Sequence, residues 1–456
     1  MISNARVTLL LFALLGSAQA QAATRTVTDI GDAGDGICDA TCTLRDAVNA
    51  AQADDRILFA LALPAPVVIG LTGPALQIDV PLRISATDGV RTTVRRVAGS
   101  GRLLEVVVGG DARVIGLSFE NGTAPAVIGT SADGGAIHVA AGAALELRDC
   151  MLRGNRAIGA AGAPETLNSG SPARGGAIFA AGDLLVENCA FVDNHATGGD
   201  GASNVLLPGS AGGSASGGAL HAAAAIDVLN STFSDNSATG GAGGTGGMGT
   251  IGMSGWDGGN GGTASGGAIA FTATATPSIA FATLIANEVA GGSGGIGGPG
   301  GPLFPEDPPP DGDAGVDGVA TGAAIDTAAA TILNVSVFAA NLGAAECSGA
   351  ALSARTSNLV ADASCPGVVM AALEAQFEPI DAMADSPHYR PLFDSVAVDS
   401  APDCLDAVAF EAVDLDQLLT PRPLTVNQPP GRCDIGAIEF NPVLFGDGFE
   451  EPPPPP

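Results

Sequence analysis

One short motif recurs five times along this chain of 456 residues and constrains its architecture. Each copy opens with Gly-Gly or Gly-Ala, then Ala, then Ile or Leu. Each ends at an asparagine eighteen or twenty residues after the second motif residue. Such a repeat is typical of a solenoid, in which one coil stacks on the next. The motifs occupy residues 134–137, 175–178, 217–220, 266–269 and 322–325, and the asparagines are Asn155, Asn194, Asn236, Asn287 and Asn341.

Large apolar residues keep a constant distance from each asparagine. Apolar and polar residues alternate around them with a period of two, which indicates strands rather than helices. We expect the asparagines to occupy left-handed bends and to hydrogen-bond one another from coil to coil, a purely structural role. We also expect the apolar residues eight before each asparagine to form one inner file. This file consists of Leu147, Val186, Val228, Ile279 and Leu333.

A stretch of variable length separates each asparagine from the next motif. The next motif begins 20, 23, 30 and 35 residues after the asparagine in the four cases, and the residues between contain mostly Gly, Ser, Ala and Asp. Because each follows the same point of the repeat, we expect them to project from one corner of the solenoid. Their composition predicts flexible loops, and residues 291–318 are expected to be extended or disordered.

Charge and the N-terminus indicate an exported protein. The formal net charge is −30, and no arginine stands between Arg174 and Arg355. These values argue against nucleic acid or anionic membranes as partners. Arg6 precedes an apolar run at residues 7–15 and small-residue cleavage sites, so residues 1–22 are predicted to be a signal peptide. We expect a secreted or surface-located monomer with no transmembrane segment in the mature chain.

Eight cysteines in an exported chain suggest disulfides, although sequence alone leaves 105 connectivities open. Local pairing would join Cys38 to Cys42, Cys347 to Cys365 and Cys404 to Cys433. Cys150 and Cys189 lie five residues before their asparagines in consecutive repeats. They should stack about 4.8 Å apart, which is close enough for a bridge. Metal binding is the weaker alternative for these cysteines.

Three resemblances to exported bacterial proteins accompany these patterns. The Gly-Gly-Ala-Ile and Phe-x-x-Asn elements across residues 112–343 resemble polymorphic outer membrane protein repeats, which implies a right-handed parallel β-helix. Residues 38–47 resemble a CSLREA domain, with Thr43 and Asp46 at the positions of its Ser and Glu. Here Thr43 can begin a short helix in which Asp46 completes a capping box. This helix is expected to close the N-terminal end of the solenoid. The segment from Asp416 to Glu439 is similar to a choice-of-anchor region.

These observations give a domain plan for an all-β chain. A CSLREA-like cap is expected at 23–55, the β-helix at 56–343, a C-terminal cap at 344–440 and a proline-rich tail at 441–456.

Two groups of polar residues are candidates for chemistry. Asp193 and Asp235 occupy equivalent positions in adjacent coils with His195 nearby, so a stacked acid pair could work in sugar hydrolysis. The alternative is that both are exposed turn residues. Asp311, Asp313 and Asp317 could bind Ca²⁺, but the usual bidentate Glu is missing and a solvated acidic loop is the alternative. No other cofactor is expected.

Two functional hypotheses follow. The first is an adhesion, matrix or glycan-binding scaffold without catalysis, with glycans or surface and matrix components as partners. The second is a polysaccharide-degrading enzyme, and here a hydrolase is favoured over a lyase, because lyase chemistry needs a cation that the central repeats lack.

Overall fold

A computed structural model describes residues 22–61, 66–87, 91–165, 167–272, 276–303, 307–381, 384, 386–406, 411–423 and 432–440. Within these ranges, strands form five sheets in which all paired strands run parallel. Sheet I comprises Thr24–Val27, Asp55–Phe59, Pro81–Ser85, Asp111–Ile115, Ala144–Arg148, Asp183–Glu187, Ile226–Leu229, Ser278–Ala280, Thr331–Asn334 and Leu352–Ala354. Sheet II comprises Val67–Leu71, Thr92–Arg96, Leu117–Glu120, Met151–Arg153, Ala190–Val192, Thr232–Ser234, Thr283–Ile285, Val337–Ala339, Leu359–Val360 and Val368–Val369.

Three further sheets complete each turn of the chain. Sheet III comprises Leu76–Ile78, Leu104–Val106, Ile137–Val139, Ile178–Ala180, Leu220–Ala222, Ile269–Phe271, Ile325–Thr327 and Cys347–Gly349. Sheet IV comprises Arg156–Ile158, His195–Thr197, Ser237–Thr239 and Glu288–Ala290, and sheet V comprises Ala132–Asp133, Ala173–Arg174, Ala215–Ser216, Ala264–Ser265 and Ala320–Thr321. The predicted all-β, right-handed parallel β-helix is confirmed.

The inner file predicted from the repeat is present. Residues Leu147, Val186 and Val228 pair in register along sheet I, followed by Ile279 and Leu333. All five are buried in one continuous core. A single coil cannot bury such residues alone, so stacking supplies the hydrophobic stabilisation of the fold.

The predicted N-terminal capping helix is also confirmed. It spans Leu44–Asn49, and Thr43 begins it with the expected capping box, because Thr43 Oγ1 accepts from Asp46 N and Asp46 Oδ2 accepts from Thr43 N. Leu44, Ala47 and Val48 join the core of the first coils. The helix thereby covers apolar residues that would otherwise meet solvent at the open end of the solenoid.

The coils continue past residue 343, where the sequence placed the end of the β-helix. Strands up to Val368–Val369 still pair with the preceding coils. A 3₁₀ helix at Leu373–Gln376 follows, and the chain then turns back along the outer face of sheet II. Gln417 Oε1 accepts from Thr232 Oγ1 at 2.6 Å, and Ala437 N donates to Thr283 Oγ1 at 3.0 Å. The C-terminal segment therefore lies along the side of the solenoid.

A change at one corner explains where this segment docks. Asn188 and Asn230 occupy a left-handed corner position, with φ of 55° and 46°, as short polar side chains favour. In the next two coils Phe281 and Val335 take the same conformation, with φ of 50° for each. Both are fully buried in a second core with Leu373, Phe377 and Ile435. Burial of these two apolar side chains against the C-terminal segment offsets the strain of the left-handed backbone at this corner.

The glycine-rich inserts form an ordered bundle, which we call the glycine arm. It consists of four hairpins at residues 159–171, 198–213, 240–262 and 291–318, apart from 166 and 304–306, which the structure does not describe. Backbone amides at Gly240, Gly243, Gly246 and Gly249 donate in turn to residues 290, 293, 296 and 299 of the next hairpin. One such bond at every third residue is the period of a polyproline II helix.

The glycines are required by close packing of these segments. Gly241, Gly244 and Gly247 donate across the bundle to Gly213, Ser210 and Leu207. These acceptors lie in the returning segment of the preceding hairpin, which runs in the opposite direction to residues 241–247. A Cβ atom at Gly244 would lie 1.9 Å from the carbonyl oxygen of Ala202. The predicted flexibility of the inserts is therefore wrong for the described residues, because each segment exchanges backbone hydrogen bonds with its neighbours. Their predicted position at one corner is confirmed.

Three of the expected disulfides are formed, joining Cys38 to Cys42, Cys347 to Cys365 and Cys404 to Cys433. The expected bridge between Cys150 and Cys189 is not formed, and both thiols are free and buried. Cys189 Sγ instead accepts from Cys150 N at 3.4 Å, as Ser231 Oγ accepts from Cys189 N in the next coil. The thiol therefore serves as a hydrogen-bond acceptor in a stacked column, and burial raises the pKa of Cys189 well above its usual value.

The predicted signal peptide and tail, residues 1–22 and 441–456, fall almost entirely outside the described residues. No helix in the described ranges has the length and apolar character needed to cross a membrane.

Candidate functional site

The repeated asparagines form a buried hydrogen-bonded ladder. Nδ2 of Asn155 donates to Oδ1 of Asn194 at 2.9 Å, and the same bond recurs from Asn194 to Asn236, from Asn236 to Asn287 and from Asn287 to Asn341. Each of these oxygens also accepts from the backbone amide of the preceding asparagine. The left-handed conformation expected of the asparagines falls instead on the residue before them, such as Asp193 and Asp235. The ladder satisfies buried polar groups and offers no reactive atom.

The ladder ends at a carboxyl group. Nδ2 of Asn341 donates to Oε2 of Glu346 at 2.5 Å, and Glu346 is 3% exposed. Burial raises the pKa of Glu346 to about 7, against the hydrogen bonds from Asn341, which lower it. The sequence repeat gave no sign of Glu346, because it lies outside the motif.

The candidate catalytic residues are only partly brought together. Nε2 of His195 lies 3.0 Å from Oδ1 of Asp193, and its Nδ1 lies 2.7 Å from Oγ of Ser237. Asp235 is engaged elsewhere, because it accepts from Ser234 Oγ, which also contacts the hydroxyl of Tyr389. The expected stacked carboxylate pair is therefore not assembled for acid–base chemistry across a sugar. Ser237 joins the site unpredicted, because equivalent positions of stacked coils hold it beside His195.

The hydrogen-bonded side chains of Asp193, His195 and Ser237 have the order of a serine hydrolase triad but lack the surrounding groups that such a triad needs. The backbone amides of Asn236 and Ser237 donate to Asn287 and Asn194, and the residues that follow lie in the paired strand Ser237–Thr239. These amides are consequently occupied and cannot stabilise an oxyanion. The side chain of Asp193 is 58% exposed, so water screens its charge. The arrangement fits a surface hydrogen-bond chain better than a catalytic centre.

The proposed Ca²⁺ ligands do not converge. Asp311 Oδ1 accepts from Gly300 N at 2.9 Å, and Asp317 Oδ1 accepts from Gly294 N at 2.7 Å. At the polyproline II rise of about 3.1 Å per residue, six residues separate the two carboxylates by about 19 Å. Asp313 lies on another face, where its amide donates to Asp257 Oδ1. The two outer aspartates accept from amides at the edge of the arm, so the three carboxylates are not gathered into one site in this structure.

A stacked aromatic column lies on sheet III. The rings of His138, Phe179 and His221 lie one above another with centroids 5.4 Å apart, and Arg174 lies 4.4 Å from the ring centre of Phe179. Burial lowers the pKa of His221 to about 4, and its two nitrogens contact Ser216 and Thr272. His221 is thus a neutral, satisfied histidine. Among the described residues, no group of three or more His, Cys, Asp or Glu side chains is arranged to hold a metal ion.

The end of the glycine arm carries a cluster of exposed apolar residues, which we call the arm tip. Its members lie at or beside the hairpin turns. Met248 N donates to Val205 O, Trp256 N donates to Gly247 O, and Gly301 N donates to Met253 O, so the turns are in contact. The arm tip comprises Val205, Leu206, Met248, Ile251, Met253 and Trp256, which are 41–81% exposed.

Comparisons with known proteins describe only the general shape. No family description matches the chain, and no curated protein matches it. Among solved structures, the crystal structure of pectate lyase Pel9A is similar with a TM-score of 0.31 and 10% sequence identity, covering 92% of this chain and 98% of that chain. A likeness this distant carries no argument about activity.

Proposed function

We propose that this chain is an exported surface protein whose β-helix is a non-catalytic scaffold for the glycine arm, and that the arm tip binds glycans or other surface and matrix components. The resemblances to exported bacterial surface proteins and the three disulfides support export. The observation that carries the binding role is the arm tip. Contiguous apolar exposure of this kind marks interaction surfaces in soluble proteins.

The arm is suited to present such a surface because it is held by main-chain bonds over its length. Segments 240–249 and 291–301 are joined at every third residue, and both also bond to returning segments. A tip fixed in this way loses less conformational freedom on binding than a loose loop would. Trp256, 41% exposed, provides a flat ring that can stack on a pyranose. Polysaccharide hydrolysis has less support, because Asp193 and Asp235 bond to different partners.

Binding by purified mature protein to a glycan array and to polysaccharide-coated or matrix-coated beads tests this proposal. The substitutions Ile251→Ser, Met253→Ser and Trp256→Ala are combined in one variant. We expect this variant to lose at least tenfold in binding, because the apolar contact surface is removed while the arm's glycines remain.

A matched control combines Val127→Ser, Ile128→Ser and Leu342→Ser, which are 56%, 47% and 60% exposed away from the tip. This control should bind like the native protein. Equal loss in both variants would refute a tip-specific surface. Release of reducing or unsaturated sugars from any polysaccharide would instead establish an enzyme.

A further inference from the structure

A row of arginines runs parallel to the solenoid axis on the outer face of sheet I. Arg56 pairs with Arg83, and Arg83 pairs with Arg113, so the three occupy one position in three successive coils. All three side chains alternate with buried neighbours and are exposed. At the strand spacing of about 4.8 Å, they place positive charge at regular intervals. We call these residues the arginine row.

The row is only partly neutralised by the protein. Arg113 Nε lies 2.5 Å from Glu146 Oε2 in the fourth coil, where the row ends. Arg83 contacts Ser85 Oγ at 3.3 Å. Arg56 makes no side-chain hydrogen bond or ion pair among the residues that the structure describes. Like charges directly opposite each other on a sheet destabilise it, so an external anion would relieve repulsion within the row.

The rest of the molecule accentuates this row. No arginine lies between Arg174 and Arg355, although the net charge is −30, so the N-terminal coils hold most of the positive charge. On one side of the row, the neighbouring column on the same face contains Leu58, Ser85 and Ile115, which are uncharged, and on the other side it contains Pro81 and Asp111. These side chains leave a flat strip along which an extended polymer can lie.

We propose that the arginine row binds an acidic polysaccharide, with uronate carboxylates facing successive guanidinium groups. A guanidinium presents paired donors that match a carboxylate, and three in line match an anion repeated along a chain. Aliphatic and hydroxyl side chains beside the row suit a sugar ring. Single-stranded nucleic acid fits less well, because its bases need aromatic platforms, which this neighbouring column does not supply. This site is separate from the arm tip.

Calorimetry at low salt with alginate as the polyuronate, neutral dextran and oligothymidylate tests the proposal. The combined substitution Arg56→Gln, Arg83→Gln and Arg113→Gln should weaken alginate binding at least tenfold. The control Arg95→Gln, Arg153→Gln and Arg156→Gln removes the same charge from sheets II and IV and should change it less than twofold. Native binding should weaken steeply with added salt, and this dependence should largely vanish in the row variant.

Three outcomes would overturn the proposal: equal losses in the two triple variants, no preference for alginate over dextran, or tighter binding of oligothymidylate. Arg83→Gln alone, at the centre of the row, provides the same comparison if the triple variant unfolds. The arm-tip variant should retain alginate binding. Failure of this proposal therefore leaves the proposed role of the tip intact, and the reverse also holds.

Discussion

Glu346 lies at the C-terminal end of the asparagine ladder, next to its last member, Asn341. Its carboxyl accepts from Asn341, and its own amide donates to Asp362 Oδ2 at 3.0 Å. Burial, aided by the charge of Asp362, raises the pKa of Glu346 from 4.5 to about 7, although the hydrogen bonds from Asn341 lower it. A neutral carboxyl accepts the asparagine hydrogen bond without placing a charge in the interior.

Replacing Glu346 with Gln should remove a pH dependence of stability. The raised pKa of this acid stabilises the folded state fully below about pH 4.5, and that contribution declines as the pH rises towards 7. A shift of this size corresponds to on the order of 3 kcal/mol. Glu346→Gln should match the native protein near pH 4.5 and exceed its free energy of unfolding at pH 8, measured by urea denaturation. Glu288→Gln, at an exposed position, is the control, and an unchanged pH profile in Glu346→Gln would contradict the assignment.

At the scale of the element, the glycine arm depends on the absence of Cβ atoms at its glycines, which lets the segments pack closely. Gly244→Ala would direct a methyl group at the carbonyl oxygen of Ala202, 1.9 Å away, and force the two hairpins apart. We expect faster hydrogen exchange in residues 198–204 and 240–249, with the β-helix strands unchanged. Thr245→Ala alters the adjacent exposed side chain and should leave exchange as it is. Protection in Gly244→Ala equal to that of the native protein would show that the arm does not need this close approach.

The sequence predicted the coils but not the arm, for a physical reason. The inner file and the asparagines recur at constant positions, so one register explains all five copies. Glycine at every third position was equally visible from Gly240 to Gly249. Composition treats glycine as a source of flexibility, whereas neighbouring glycine segments can pack backbone against backbone. The missed signal was the period of three.

The side-chain partners of the candidate site residues could not be predicted from the sequence, for a related reason. Spacing along the chain placed Asp311, Asp313 and Asp317 close together, but an extended segment keeps such residues apart. Asp193 and Asp235 were correctly placed in adjacent coils, yet Asp193 contacts His195, whereas Asp235 accepts from Ser234, which contacts Tyr389 of the C-terminal segment. Side-chain partners across coils cannot be read from a motif alone.

On the scale of the whole molecule, a buried ion pair joins two parts of the C-terminal segment where it packs on the solenoid. Arg422 Nη1 lies 2.7 Å from Glu439 Oε2, and both side chains are fully buried. Arg422 also lies 4.5 Å from the ring centre of Phe281 in the fourth repeat. The residues that carry the choice-of-anchor resemblance are therefore those that fasten this segment to the solenoid.

Arg422→Met should loosen the segment, because the buried carboxylate of Glu439 would lose its positively charged ion-pair partner. Breaking such a pair costs about 3–5 kcal/mol. We expect increased binding of a hydrophobic dye and faster proteolysis within 411–423 and 432–440, while the coils before residue 230 keep their hydrogen-exchange protection. Arg390→Met, which removes a contact with His388, is the control. Dye binding and proteolysis like those of the native protein would show that the pair is dispensable.

The unequal lengths of the hairpins have a consequence for how this architecture can vary. Gly259 and Gly262 face Ser210 and Gly213 of the shorter preceding hairpin, where a Cβ would collide with backbone. Three residues earlier, at the level of that hairpin's turn, the corresponding position is Trp256. Where one hairpin extends past its neighbour, its residues are therefore not restricted to glycine. Lengthening one hairpin beyond its neighbour would therefore create room for new side chains while every residue inside the arm and the solenoid stays the same.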